Sequence, residues 1–241
     1  MPEISFRCPP HLADHMPAPL PARAQIPTWY RDLSPDVFHE ALGLEIPTAK
    51  RCPPFLDALL TGFYLPLSVD LDYDGETFRW SPLPTTGSEP YPTAPIVFHA
   101  TEQVATTPLG AERREIVKFN TFWTIDITPG WSLLITHPAH QLDLPFRTIS
   151  AVVDADLYSE TFIQIPTLWM SKARPCALAR GTPIAQCIPI PRDVSFAGAR
   201  AMDAQENAGL EASIQAIIDK PGVYKKSFRA SRKASADGGG D

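Results

Sequence analysis

The sequence predicts a mainly β protein, a barrel-like or sandwich body of short strands with short N-terminal helices and a C-terminal helix. Three observations carry this. Proline makes up 27 of 241 residues, about twice its usual share of ~5%. That density disfavours long helices and favours strands joined by stiff turns. Short β-branched and aromatic runs recur between turn signals. Hydrophobic residues at 44% and charged residues at 20% give the balance of a packed globule rather than a disordered chain.

The elements follow in order. Residues 1–33 carry seven prolines and read as an extended arm that wraps the body. Ser34-Pro35-Asp36 resembles a capped helix start, with a short helix to about Leu42. Cys52 to Leu60 reads as a second short helix, closed by Gly62. Strands are expected from Phe63 to Leu71 and from Glu76 to Trp80, with Asp74-Gly75 as the hairpin signal. Residues 81–95 hold five prolines and form a long surface loop. Further strands fit Ile96–His99, Glu115–Ile127, Trp131–Thr136, Phe146–Val153, Thr161–Met170, Cys176–Arg180 and Ile184–Ile190. Met202, Leu210, Ile214, Ile217 and Ile218 recur at near-helical spacing and predict a helix over 199–219. The expected organisation is one β-rich domain over 34–198, a C-terminal helix and extension over 199–228, and a disordered tail over 229–241.

Composition narrows the partners and the compartment. With 21 Lys+Arg against 27 Asp+Glu the formal charge is −6, which argues against a broad electrostatic grip on nucleic acid. No apolar run approaches the ~18 residues of a membrane span. The N-terminal residues lack the basic-then-apolar pattern of a signal peptide, so a cytoplasmic protein is expected. The four cysteines, Cys8, Cys52, Cys176 and Cys187, form no CxxC pair and are too few for a disulfide scaffold. Reduced thiols are expected.

Three segments resemble a known family. Pro129-Gly130-Trp131-Ser132-Leu133-Leu134, Val152-Val153-Asp154-Ala155-Asp156-Leu157-Tyr158 and Gly181-Thr182-Pro183-Ile184-Ala185-Gln186 resemble, in order, motifs of the dUTPase and dCTP deaminase group over residues 129–192. The resemblance implies a β-clip fold, an often trimeric assembly and a nucleotide-related ligand. It implies that Asp154 orients an attacking water and that Tyr158 stacks on a sugar. The sequence departs from that pattern where the Arg-Ser-Gly phosphate motif would stand, because His137-Pro138-Ala139-His140-Gln141 occupies the place. One extra residue, Leu157, separates Asp156 from Tyr158. Over its whole length the chain resembles an uncharacterised bacterial and phage family, through Lys50 to Asp57 and the Gly-Thr-Pro-Ile segment.

The residues themselves suggest several constellations. Asp154, Asp156 and Glu160 form an acidic cluster at a strand-to-strand turn; on a strand Asp154 and Asp156 would share a face, since the side-chain period is two. Such a pair serves as catalytic acid and base or holds a divalent metal; otherwise it caps its own turn. Gln186 could read a ligand edge through its amide, or pair with neighbouring backbone. The run Lys118 to Trp123 alternates polar and aromatic residues, so Asn120 and Trp123 are candidates for holding a planar ligand. His99, His137 and His140 are candidate metal ligands, with Asp143 or Asp154 completing a set. Arg51, Arg147 and Arg192 are isolated basic residues that could hold an anion.

Three functions follow. The first is a small-molecule-binding protein or enzyme on a dUTPase-like scaffold. The second is a non-catalytic homo-oligomeric interaction protein. The third is a histidine-based metal-dependent oxygenase. No Gly-x-Ser-x-Gly elbow, P-loop or Rossmann glycine run is present.

Overall fold

The computed structural model describes residues 2–113, 115–171, 174–220 and 222–230. The N-terminal segment carries β1 (Ile4–Arg7), β2 (Leu20–Pro21) and a short helix, α1 (Thr28–Asp32). A hairpin of β3 (Asp36–His39) and β4 (Leu44–Pro47) precedes α2 (Pro53–Leu60). Next come β5 (Phe63–Pro66), β6 (Leu71–Tyr73), β7 (Phe78–Trp80) and β8 (Ile96–His99). They are followed by β9 (Ile116–Asn120), β10 (Thr124–Ile127), β11 (Trp131–Thr136) and β12 (Phe146–Thr148). The remaining strands are β13 (Ala151–Val153), β14 (Gln164–Trp169), β15 (Cys176–Leu178) and β16 (Pro183–Pro191). Helix α3 (Ala204–Asp219) follows them. The protein is mainly β, with many short strands in several sheets and few helices, one of them C-terminal.

The chain separates into two units, Met1–Ser34 with Phe55–Val194 and Pro35–Pro54 with Ser195–Asp241. The first unit holds a five-stranded sheet in the order β13-β11-β16-β5-β2, a four-stranded sheet β12-β14-β9-β8, a three-stranded sheet β15-β6-β7 and the pair β1-β10. Their inward side chains share one core. Phe63 and Leu65 of β5, Val117 and Phe119 of β9, Leu133 and Ile135 of β11, Phe146 of β12 and Ile165 and Trp169 of β14 are all buried in it. Alternation explains the choice: on β9, Val117 and Phe119 face the core, and Lys118 takes the other face. Each such apolar side chain contributes about 1.5–3 kcal/mol by leaving water.

In this unit the proline-rich N-terminal segment is tied down by main-chain pairing. Ile4–Arg7 runs antiparallel to Thr124–Ile127, and Leu20-Pro21 caps the edge of β5. The Trp123 indole N–H donates to the Pro17 carbonyl at 3.2 Å.

The second unit holds the β3-β4 hairpin and α3. The hairpin replaces the helix expected from Ser34 to Leu42. Pro35 and Pro47 bound it, Gly43 takes φ +64 at its turn, and the Thr48 N–H donates to the Pro35 carbonyl. Four residues on each side of a glycine turn, with Val37, Phe38 and Ile46, suit a ladder better than two helical turns. The α3 helix starts at Ala204 rather than near 199. Asp203 and Glu206 there form a reciprocal capping box that defines the N-terminus.

Three expected strands are each broken in two. Phe63–Leu71 ends as β5 at Pro66 and resumes at Leu71 as β6, in a different sheet. Glu115–Ile127 divides into β9 and β10 because Phe122 adopts φ +57 between them. Phe146–Val153 divides into β12 and β13, which lie in different sheets. Of the expected tail over 229–241, the part from 231 onward lies outside the described residues. Among the described residues no helix is long and apolar enough to cross a membrane.

Candidate functional site

An open groove of about 810 Å³ lies beside the β8-β9-β14 strands. That volume falls within the usual range for small-molecule sites. Asp154, Tyr158, Asn120 and His99, all singled out in the sequence, line it together. Lys118, Gln164, Tyr91 and Phe162 complete its chemistry. The remaining candidates, Asp156, Gln186, Trp123, His137 and His140, lie outside its lining.

The floor is set by strand register. Lys118 and Asn120 alternate onto one face of β9, and Gln164 stands directly opposite Asn120 on β14. Asn120 is only 4% exposed, and both ends of its amide are used. Its Nδ2 donates to the Ala94 carbonyl at 2.6 Å, and its Oδ1 accepts from Gln164 Nε2 at 2.8 Å. Asn120 therefore holds Gln164 in place rather than reaching a ligand itself. Tyr91 and Phe162 pack edge to face at 5.0 Å, an aromatic wall.

The other wall is the turn after β13. The strand ends at Val153, and the Asp154 carbonyl accepts from the N–H groups of Leu157 and Tyr158. Asp154 and Asp156 therefore sit on a turn and not on a continuous strand. Both carboxylates converge on Arg192. Asp156 is bound bidentately, at 2.6 and 2.5 Å, and also accepts from the Gly130 N–H at 3.1 Å. Arg192 holds the Asp156 carboxyl at about 2, well below its ordinary value, with the Gly130 and Leu157 N–H groups assisting. In return Asp156 pushes Arg192 further up. Asp154 differs, being half-exposed, with one oxygen accepting from the buried Ser132 hydroxyl and lying 3.4 Å from Arg192. It is the carboxylate that faces the groove.

Gln186 is 1% exposed. Its Oε1 accepts from the Ala139 N–H at 2.9 Å, and its Nε2 donates to the Ala58 and Thr61 carbonyls at 2.8 and 2.7 Å. The amide fastens the 137–141 loop to the end of α2. Trp123 packs with Leu12, Met16 and Phe122 in a small satellite core.

The histidines are not brought together. His137 bonds the Gln141 carbonyl through Nε2 at 2.8 Å and accepts the Thr148 N–H at Nδ1, 3.2 Å away. That pairing makes Nε2 the protonated nitrogen, so both ring nitrogens are occupied. Burial, the larger cause, and the Arg147 charge push His137 below the usual histidine range. His140 stacks on Phe55 with ring centroids 3.7 Å apart. His99 Nδ1 pairs with Gln103. Among the described residues no group of three His, Cys, Asp or Glu side chains could hold a metal ion. Burial also pushes the Cys187 thiol well up, which leaves it unreactive.

Two features of the groove are absent from the sequence candidates. Gln164 is the one amide side chain in a mostly apolar strand, and that was its available signal. Tyr91 and Phe162 carry none, since one sits in a proline-rich loop and the other follows a turn. Arg192, one of the basic residues the sequence offered as an anion holder, lies outside the groove lining and joins Asp156 across 36 residues, a pairing that no local pattern reveals.

The fold and groove together define a mainly β protein with an aromatic- and amide-lined surface site. No protein-family model matches the chain, and no curated protein matches it. One solved structure that resembles part of it is native EIAV dUTPase, at a TM-score of 0.29 and 16% identity, covering 38% of this chain and 72% of that one.

Proposed function

We propose that the protein binds a small molecule in the groove between the β8-β9-β14 strands and the 154–158 turn. The observation that supports this is the gathering of Asp154, Tyr158 and the Asn120–Gln164 amide pair around one cavity of ligand size. Tyr158, half-exposed at 49%, offers a ring for stacking. Asp154, anchored through one oxygen by Ser132, is the group for a proton transfer or a cation contact. Asp156 serves by fixing Arg192 and the turn. The motif resemblance over 129–192 favours a nucleotide ligand on a β-clip scaffold. The absent Arg-Ser-Gly donors favour binding without phosphate transfer.

Thermal-shift titration with deoxynucleoside mono- and triphosphates, with and without Mg²⁺, tests this. A rise in Tm that disappears in Tyr158→Ala and Asp154→Ala is expected. No rise with any nucleotide removes the nucleotide reading, and no rise across a small-metabolite panel removes the groove itself.

A second reading, a homo-oligomeric interaction protein, has its own observation in the second unit. The α3 helix has no buried residue, and Leu210, Ile214, Ile217 and Ile218 are each at least 42% exposed. The metal-dependent oxygenase reading has no ligand set among the described residues to support it.

A further inference from the structure

The amide pair at the groove floor has only one consistent orientation. The Ala94 carbonyl is an acceptor, so the atom of Asn120 that faces it must be the nitrogen. The Asn120 oxygen then faces Gln164, and Gln164 must present its nitrogen to it. This leaves the Gln164 Oε1 as an acceptor that makes no hydrogen bond among the described residues. Asn120 is 4% exposed, so neither amide can turn over without leaving a buried polar atom unpaired, at about 1–3 kcal/mol.

Lys118 lines the same groove and makes no ion pair among the described residues. It stands opposite Pro166, and Gln164 stands opposite Asn120. The two are thus diagonal neighbours on adjacent strands, roughly 7–8 Å apart at the backbone. A fixed acceptor and a cation therefore lie side by side, next to the Tyr91–Phe162 wall and the Tyr158 ring.

We infer that the ligand is a planar aromatic or heteroaromatic acid bearing an N–H donor, with the donor received by Gln164 Oε1 and the anionic group held by Lys118. This rests on the groove being the ligand site. A locked acceptor rejects rings that offer another acceptor there, because two lone pairs would face each other without a proton between them. The ammonium rejects rings that lack the anion. His99, whose Nδ1–H donates to the Gln103 amide oxygen, borders the same space and presents Nε2 as a second acceptor.

Three probes separate these elements: 4-aminobenzoate carries donor, ring and anion, benzoate lacks the donor, and aniline lacks the anion. Binding is followed by ¹H–¹⁵N NMR titration of the full chain. The expected result is that 4-aminobenzoate binds at least ~10-fold more tightly than either partial probe, perturbing the Gln164 side-chain amide and Tyr158. In Gln164→Met its preference over benzoate disappears, and in Lys118→Met its preference over aniline disappears. If Gln164→Met does not fold, the ranking of the probes on the unaltered protein still decides. Equal affinities for all three overturn this inference and leave the groove standing. So does a thermal shift with other metabolites while no probe binds. Silence from both the probes and the metabolite panel overturns the groove reading, and the ligand class with it.

Discussion

Asp156 shows how a residue that looks catalytic in sequence becomes an anchor in three dimensions. Its carboxylate accepts two bonds from Arg192 and one from Gly130. Its folded pKa of about 2 lies below the ~3.9 of an unfolded aspartate. The interaction therefore contributes its full stability above about pH 4 and loses it as pH falls toward 2. Asp156→Asn is expected to lower the urea midpoint at pH 7, and the gap from the parent protein closes as pH falls through about 2. A gap unchanged from pH 7 to pH 2 would show that the charge is irrelevant there. The sequence made Asp154, Asp156 and Tyr158 visible as a cluster, but not the division of labour among them. That division depends on Arg192 and Ser132, which arrive from other strands. Gln186 was equally visible, and only its three backbone partners show that no edge remains for a ligand.

At the scale of elements, Ile96–His99 and Trp131–Thr136 were legible to the residue. Both are short β-branched or aromatic runs bounded by clear turn signals. The β9–β10 break was not legible, because nothing in Asn120-Thr121-Phe122 announces a positive φ at a buried aromatic residue. The tertiary setting imposes it: Phe122 fills the satellite core, and the Thr121 hydroxyl bonds the Ile163 carbonyl. The β3-β4 hairpin was missed for a different reason. Ser-Pro-Asp is a helix-start pattern that also opens a turn, and the decision falls to Gly43. Gly62, read as a helix stop, has a tighter duty. At φ +73 it passes so close to β16 that a Cβ would overlap the Cys187 carbonyl. Gly62→Ala is expected to destabilise by more than about 2 kcal/mol, combining a strained backbone with displacement of a core strand. A denaturation midpoint indistinguishable from that of the parent would contradict the close approach.

For the whole molecule, the open question is whether chains associate. A 16-residue helix with an apolar stripe and no buried side chain gains little from folding alone. If that stripe is a contact between copies, light scattering gives a multiple of the 26.5 kDa chain, and Ile214→Asp reduces it. A chain mass in both samples would retire the interaction reading and leave the groove as the functional feature.

The sheet connections bear on how the protein is made. Ile4 pairs with Ile127, and Phe63 pairs with Cys187. Each early strand therefore emerges from the ribosome well over a hundred residues before this partner exists. At a synthesis rate of ~5–20 residues per second, roughly 6–25 s pass with β1 and the β16-facing edge of β5 unsatisfied. During that interval Phe63, Tyr64 and Leu65, later buried, are open to chaperones and to other nascent chains. The length of the wait is set by how fast residues 8–123 are translated for β1 and residues 67–182 for β5.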